Sequence, residues 1–237
     1  MKGSTIATSF ALGVSSVLAA PSSSSNIQAR DDVTSISVKG NAFFKGDDRF
    51  YIRGVDYQPG GSGDLADPIA DTDGCKRDVE KFKALGLNTV RVYSVDNSAD
   101  HDECMNALAD AGIYLVLDVN TPKYSINREE PKMSYNDVYL QYIFATVDKF
   151  ARYKNTLAFF SGNEVVNDGP SSKTAPYVKA VTRDIRQYLR EQKLRTVPVG
   201  YSAVCLLTLF HPLPHPLCVL HNANDAGRHR GKGALLL

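Results

Sequence analysis

The chain has 237 residues and a net charge of +1, from 27 Lys and Arg against 26 Asp and Glu. That length suits one sizeable domain, and so balanced a charge, with no basic stripe carrying interleaved aromatics, argues against nucleic acid as a partner. The four cysteines, Cys75, Cys104, Cys205 and Cys218, include no C-x-x-C pair, which disfavours a zinc ribbon.

The N-terminus reads as a secretory signal. Lys2 supplies the positive start, and Ile6 to Leu18 is apolar and small apart from scattered hydroxyls. Val17-Leu18-Ala19 before Ala20-Pro21 is a small-residue cleavage pattern. The apolar run is too short to span a bilayer. Residues 1–20 are therefore expected to be a signal peptide, and residues 21–32, with Ser22 to Ser25, a flexible lead-in. The destination is oxidising, where disulfides form.

Short β-like runs follow at Ile36 to Val38, Ala42 to Phe44 and Phe50 to Tyr57, with a turn at Lys45-Gly46-Asp47-Asp48. The pattern predicts a hairpin leading into a first core strand, Phe50 to Tyr57, which ends in a polar, glycine-rich loop from Asp56 to Gly61. Asp71 to Leu85 has the helical period, with Cys75, Val79, Phe82 and Leu85 on one face and Gly86 as the stop. Asn88 to Val95 is a second strand, Asp100 to Ala111 a second helix ended by Gly112, and Tyr114 to Asn120 a third strand. After a loop to Met133, Ser134 to Tyr153 reads as a long helix with Leu140, Ile143, Phe144, Val147, Phe150 and Ala151 in one stripe. Thr156 to Val166, an apolar run ending in the polar tip Asn163-Glu164, is a fourth strand. Ala175 to Leu194 is a further helix with Val178, Val181, Ile185 and Leu189 in register. Thr196 to Ser202 is a fifth strand that begins late because of Pro198.

Strands alternating with helices at this spacing predict parallel βαβ units. The strand tips carry Asp56, Gln58, Tyr93, Asp118, Asn163 and Glu164. A polar tip on strand after strand favours the mouth of a barrel, where working residues sit at the C-terminal strand ends. No G-x-G-x-x-G follows the first strand, which argues against a dinucleotide site. The run Thr156 to Phe160 that delivers Asn163-Glu164 suits glycoside chemistry. A carboxyl group must protonate the leaving oxygen, and a neighbouring amide can hold a sugar hydroxyl. Other roles remain open on pattern alone: a loop cap or salt bridge for Glu164, a barrel-filling aromatic for Tyr93, and a strand-end cap for Asp118.

Phe50 to Gly61, Asn88 to Val95, Leu115 to Asn120 and Ser161-Gly162-Asn163-Glu164 together resemble glycoside hydrolase family 72. These are fungal, GPI-anchored 1,3-β-glucanosyltransferases of the cell wall. The resemblance runs from about Val33 to Ser202. It implies an α/β fold, a (β/α)8 TIM barrel represented here by about its first five β/α units, with residues 33–203 as the catalytic part. It also implies retaining cleavage and religation of β-1,3-glucan, with glucan oligosaccharides and polymer as partners and no cofactor. In that scheme Glu164 is the acid/base, and Asn163 binds the 2-hydroxyl next to the nucleophile. Gln58, Tyr93 and Asp118 bind substrate in the cleft, and Cys75 and Cys104 form a disulfide. Tyr57 and Tyr93 would stack on sugar faces. The location implied is the secretory route, ending at the plasma membrane through a GPI anchor or in the cell wall.

The resemblance is lost after Ser202. The family nucleophile is a second Glu on a later strand, and residues 203–237 contain no Glu. Residues 204–237 have neither helical stripe nor strand alternation, and are expected to be a disordered, non-homologous tail. The family activity and that of this chain are thus separate expectations, the second being little or none. His211, His215, His221 and His229 are interleaved with prolines and lie on no defined element, so a metal site is not expected. Ala234 to Leu237 is too short for the apolar tail of an anchor signal.

Overall fold

The computed structural model describes residues 33–61, 64 and 66–203. The expected signal peptide, lead-in and tail, with Cys205 and Cys218, lie outside the described residues. The described residues form two sheets. The first is an antiparallel meander of β1 (Ile36–Lys39), β2 (Ala42–Lys45) and β3 (Asp48–Phe50). Its turns pass through Gly40 and Gly46, both at positive φ, where a side chain would be strained.

The second sheet has five parallel strands in sequence order. These are β4 (Gly54–Asp56), β5 (Thr89–Val92), β6 (Tyr114–Asp118), β7 (Thr156–Asn163) and β8 (Val199–Ser202). Between them come α1 (Thr72–Ala84), α2 (Asp102–Asp110), a short α3 (Pro131–Ser134), α4 (Asp137–Ala151) and α5 (Ala175–Glu191). Parallel neighbours need such crossovers. Every residue of β6 is buried, as expected of a central strand covered on both faces.

The faces of the sheet divide the work. One packs on the helices: Val90, Val92, Leu115, Leu117, Phe159 and Val199 share a cluster with Val79, Leu108, Val147 and Ile185. The stripe Val178, Val181, Ile185 and Leu189 of α5 is buried as its spacing predicts. The other face is closed at its N-terminal end by the meander. There Ile36 packs with Tyr114, Val116, Leu157 and Ala158, joined by Phe43 and Phe50. The Phe50 ring meets Tyr114 edge-on at 5.3 Å, and the Tyr114 hydroxyl donates to the Thr34 carbonyl at 2.7 Å. An apolar plug at one end leaves the C-terminal end of this face for polar groups.

Several expectations shift. Phe50 to Tyr57 is not one strand: β3 pairs with β2, and β4 pairs with β5 in the other sheet. Asn88 holds the switch between them, donating from Nδ2 to the Tyr51 carbonyl and accepting the Arg53 amide on Oδ1. Gly54 follows because a Cβ there would lie 2.7 Å from the Thr89 carbonyl oxygen. Leu85 is 71% exposed, since the helix has already ended and Leu85 is its C-cap. The long helix starts at Asp137 rather than Ser134. The Asn136 backbone is extended and its side chain caps the Tyr139 amide. The last helix stops at Glu191 rather than Leu194, just before Lys193 turns to positive φ.

Cys75 on α1 and Cys104 on α2 are joined, with Cα atoms 5.8 Å apart. The bond closes a stretch of 29 residues and ties the first two crossover helices together. In the chain-entropy account a loop of this size is worth about 3–4 kcal/mol. Replacing both cysteines with serine should lower the free energy of unfolding by about that amount in urea titrations. A digest of unreduced protein should contain the linked Cys75 and Cys104 peptides.

Candidate active site

The C-terminal ends of the parallel strands gather their polar residues around Arg91, the third residue of β5. Its neighbours Val90 and Val92 face the helical core, so alternation sends Arg91 to the other face. There it meets Asp118, the last residue of β6. Arg91 Nε and Nη2 donate to Asp118 Oδ1 and Oδ2 at 2.9 and 2.8 Å, a bidentate ion pair. Nη2 also donates to Asn163 Oδ1 at the end of β7, at 3.1 Å. Nη1 lies 4.0 Å from Asp56 Oδ1 at the end of β4. The guanidinium is flanked by aromatic rings, 4.2 Å from the Tyr93 centroid and 4.8 Å from that of Phe160. One cation thus draws together residues from four strands and the start of a loop.

The electrostatics follow from burial. Asp118 is only 3% exposed. Burial pushes its carboxyl from 3.8 up to about 6; Arg91 pulls the other way, and the charge of Asp56 adds to the rise. Burial works against the charge of Arg91 too, but its bonds to Asp118 outweigh this and hold it above its ordinary value. The guanidinium therefore stays charged, and the carboxyl is the member of the pair that titrates. Tyr93 is half-buried, and burial followed by a hydrogen bond to Asp56 pushes its hydroxyl up to about 12. It is a neutral donor at any physiological pH.

Glu164 directly follows β7, exposed beside the exposed Asn163. Its φ of 49° lies in the left-handed region, uncommon for a residue with a side chain. Three contacts impose it. The Glu164 amide donates to the Ser202 carbonyl on β8 at 2.8 Å. The Val166 amide donates to the Tyr201 hydroxyl at 2.8 Å. Arg128, from the loop after β6, donates to the carbonyls of Glu164 and Val165 at 2.7 and 3.2 Å. Unfavourable backbone of this kind persists where its surroundings over-determine it, and such places cluster at functional sites.

The structure thus brings Tyr93, Asp118, Asn163 and Glu164 to one end of the sheet. Gln58 is half-buried in the loop two residues past β4, and its carbonyl accepts the Gly61 amide. No hydrogen bond among the described residues joins its side chain to the Arg91 group. Tyr57 is a correction: it is buried, its hydroxyl donates to Asp78 on α1 at 2.9 Å and its ring packs edge-on against Phe82. It is a core residue, because at that point the chain alternates toward the helices. Arg91 and Arg128 escape motif reading. The signal for Arg91 was present as a lone charge between valines in a buried strand.

The sequence matches the glucanosyltransferase family, glycoside hydrolase family 72, over residues 25–209. The chain belongs to that family. It is 80% identical over 203 residues to the 1,3-β-glucanosyltransferase gel1 of Aspergillus fumigatus, a match covering 86% of this chain and 44% of that protein. It is 60% identical over 173 residues to the 1,3-β-glucanosyltransferase PGA4 of Candida albicans, covering 72% of this chain and 38% of that protein. The fold matches Saccharomyces cerevisiae Gas2p, solved in complex with laminaripentaose, with a TM-score of 0.67 and 38% identity over 72% of this chain and 40% of that one. The five strands and their helices are accordingly part of a glycosidase-type (β/α)8 barrel. The chain spans less than half the length of the curated relatives it matches.

Two expected outcomes follow for this family member. The Asp118 carboxyl binds its proton more tightly in the folded chain than in the unfolded one. Its contribution to stability is therefore fully present below about pH 4 and is lost as pH rises through about 6, with a slope approaching about 1.4 kcal/mol per pH unit. Carbon-13 titration of the side chain should place its midpoint near 6, and a midpoint near 4 would contradict the burial argument. Arg128→Ala should leave global unfolding nearly unchanged but speed hydrogen exchange at the Glu164 and Val166 amides, because only the strand tip is released.

Proposed function

We propose that this chain carries the acid/base part of a retaining β-1,3-glucan transglycosylase. Glu164 would give its proton to the leaving glycosidic oxygen as a carboxylate nucleophile forms the glycosyl ester. It would then take a proton from the acceptor hydroxyl that attacks the ester. Asn163 would hold the sugar 2-hydroxyl beside the bond being broken. Tyr93 and Gln58 would contact neighbouring sugar groups, and Asp118 would bind substrate chiefly by fixing Arg91. The observation that carries this reading is the Asn163-Glu164 tip, held at the C-terminal end of β7 in a chain that belongs to this family. The complex of Gas2p with laminaripentaose supports β-1,3-glucan as the ligand class.

A retaining reaction needs a second carboxylate roughly 5–5.5 Å from the acid/base. Among the described residues, the other carboxylates at the strand ends are Asp56 and Asp118. Asp118 gives both oxygens to Arg91, and Asp56 lies 4.0 Å from the same guanidinium. Asp118, buried with both oxygens held, is badly placed to attack a sugar, and this reading takes the nucleophile partner of Glu164 from outside these five strands. The same observation favours a second reading, in which these residues alone bind glucan without turning it over. An endo-β-1,3-glucanase differs from the transferase only in whether water or sugar attacks the ester. Passage through the secretory route to the cell surface or wall fits the Cys75–Cys104 disulfide, which needs an oxidising compartment.

The test is to incubate residues 20–237 with reduced laminarioligosaccharides and separate the products by length. Little or no product is expected, together with retained binding of laminaripentaose. Longer chains formed at a rate near that of gel1 would mean that another carboxylate serves as nucleophile. Only shorter chains would indicate a hydrolase.

A further inference from the structure

Strict alternation along β7 would put Asn163 on the wrong face. Phe160 points to the polar side of the sheet, where its ring centroid lies 4.8 Å from the Arg91 guanidinium. Asn163 comes an odd number of residues later, so it should turn toward the helices. Instead it meets Arg91. The register shows how. Phe160 pairs with Gly200 of β8 and Asn163 pairs with Ser202, three steps on one strand against two on the other. Thus β7 carries a one-residue bulge at Ser161-Gly162, and both of these residues face the helices. Ser161 Oγ lies 2.7 Å from Thr182 Oγ1 on α5. A Cβ on Gly162 would lie 3.1 Å from Val165 Cγ2, which belongs to the helical core. Bulges bend a strand and re-aim its side chains, and they are rare between parallel strands.

A bulge disrupts the ladder locally, so it needs support from elsewhere. The support here is Tyr201. Its ring lies against Gly162, with carbons 3.5 and 3.6 Å from the place a Cβ would take. Its hydroxyl oxygen accepts the Val166 amide at 2.8 Å. One side chain thus grips the chain at the bulge and again four residues on, past the strand end. The residues either side of Tyr201 add backbone contacts. The Gly200 carbonyl accepts Ser161 Oγ at 3.0 Å, and the Ser202 carbonyl accepts the Glu164 amide at 2.8 Å. Phenylalanine at position 201 would keep the ring contact and lose the hydroxyl contact. Leucine would lose both.

We infer that Tyr201 is a positioning residue: it locks the β7 bulge that turns Asn163 to the polar side of the sheet and sets Glu164 just past the strand end. Tyr201 packs on the helical cluster, so it acts through the strand and not on a ligand. The consequence for binding rests on the reading of Asn163 and Glu164 given above, whereas the bulge itself does not.

The full chain tests it, as wild type, Tyr201→Phe, Tyr201→Leu and Ile185→Val. The last trims a buried side chain of α5 and is the control for mere loss of packing. In calorimetric titrations, laminaripentaose should bind roughly fivefold more weakly to Tyr201→Phe and roughly tenfold or more weakly to Tyr201→Leu. Ile185→Val should bind as wild type does. In Tyr201→Leu the Asn163 side-chain NH2 resonances should move, because the tip regains regular alternation. The Arg91 Nε resonance, which reports the bond to Asp118, should stay where it is. Unmoved Asn163 resonances in Tyr201→Leu would overturn the inference whatever the affinity, and so would equal weakening by Ile185→Val. Moved resonances at wild-type affinity would support the lock and count against Asn163 as a ligand contact. If Tyr201→Leu does not fold, Tyr201→Phe decides the matter. Faster hydrogen exchange at the Val166 amide with shifted Asn163 resonances would support the lock, and unshifted resonances would refute it. A wild type that binds no laminaripentaose would instead defeat the functional reading, and the resonances alone would then judge the bulge.

Discussion

The ion pair between Arg91 and Asp118 is the constraint on which the polar end of the sheet depends. Removing two charges from water is costly, and their attraction offsets that cost only when the geometry is good and the remaining hydrogen-bonding groups are satisfied. Both conditions are approached here. The pair is bidentate, the spare Nη2 direction is taken by Asn163, and aromatic faces cover the planar surfaces. Such a pair adds less to stability than to order. It admits one arrangement of β5, β6 and β7 in which all partners meet, so a register slip in any of these strands would strand a charge.

The two ends of this face are built on opposite principles. The N-terminal end is dry, filled by Tyr114, Val116 and Ala158 under the hairpin residues Ile36 and Phe50. The C-terminal end is charged, and its loops hold Glu164 by its own backbone through Arg128 and Ser202, with Tyr201 holding the Val166 amide two residues on. The acid/base proposed here is thus placed by main-chain contacts, while the amide beside it is placed by a side-chain contact. Neighbouring residues are fixed by separate means, so a change to one support need not disturb the other.

Much of this was legible in the sequence. Periodicity located every long helix, and the buried stripe of α5 coincided with its four spaced apolar residues. That the strands run parallel followed from their alternation with helices, and the barrel from their polar tips and the family resemblance. The failures were local. A run as uniform as Phe50 to Tyr57 carries no mark of the point where a chain leaves one sheet for another; that is decided by Asn88, more than 30 residues away. Tyr57 looked like a sugar platform because its side-chain direction depends on that same break. The hub of the site was missed for a related reason. Motifs record residues that touch a ligand, whereas Arg91 is defined by partners on β6 and β7 that only folding brings near.

The sheet order repeats the chain order without exception, from β4 through β8. Each new strand therefore lays itself beside the one made just before it, and none must wait for a distant partner. A ribosome releasing this chain N-terminus first can thus have it accrete one unit at a time. The hairpin emerges early, ready to cap the growing sheet from below, and the cysteine pair becomes available once the second helix is out. The charged cluster comes later. Arg91 is held alone until Asp118 arrives, its hold on Asn163 waits for β7, and the Glu164 amide gains its Ser202 partner only with β8, so the polar end of the sheet is completed strand by strand.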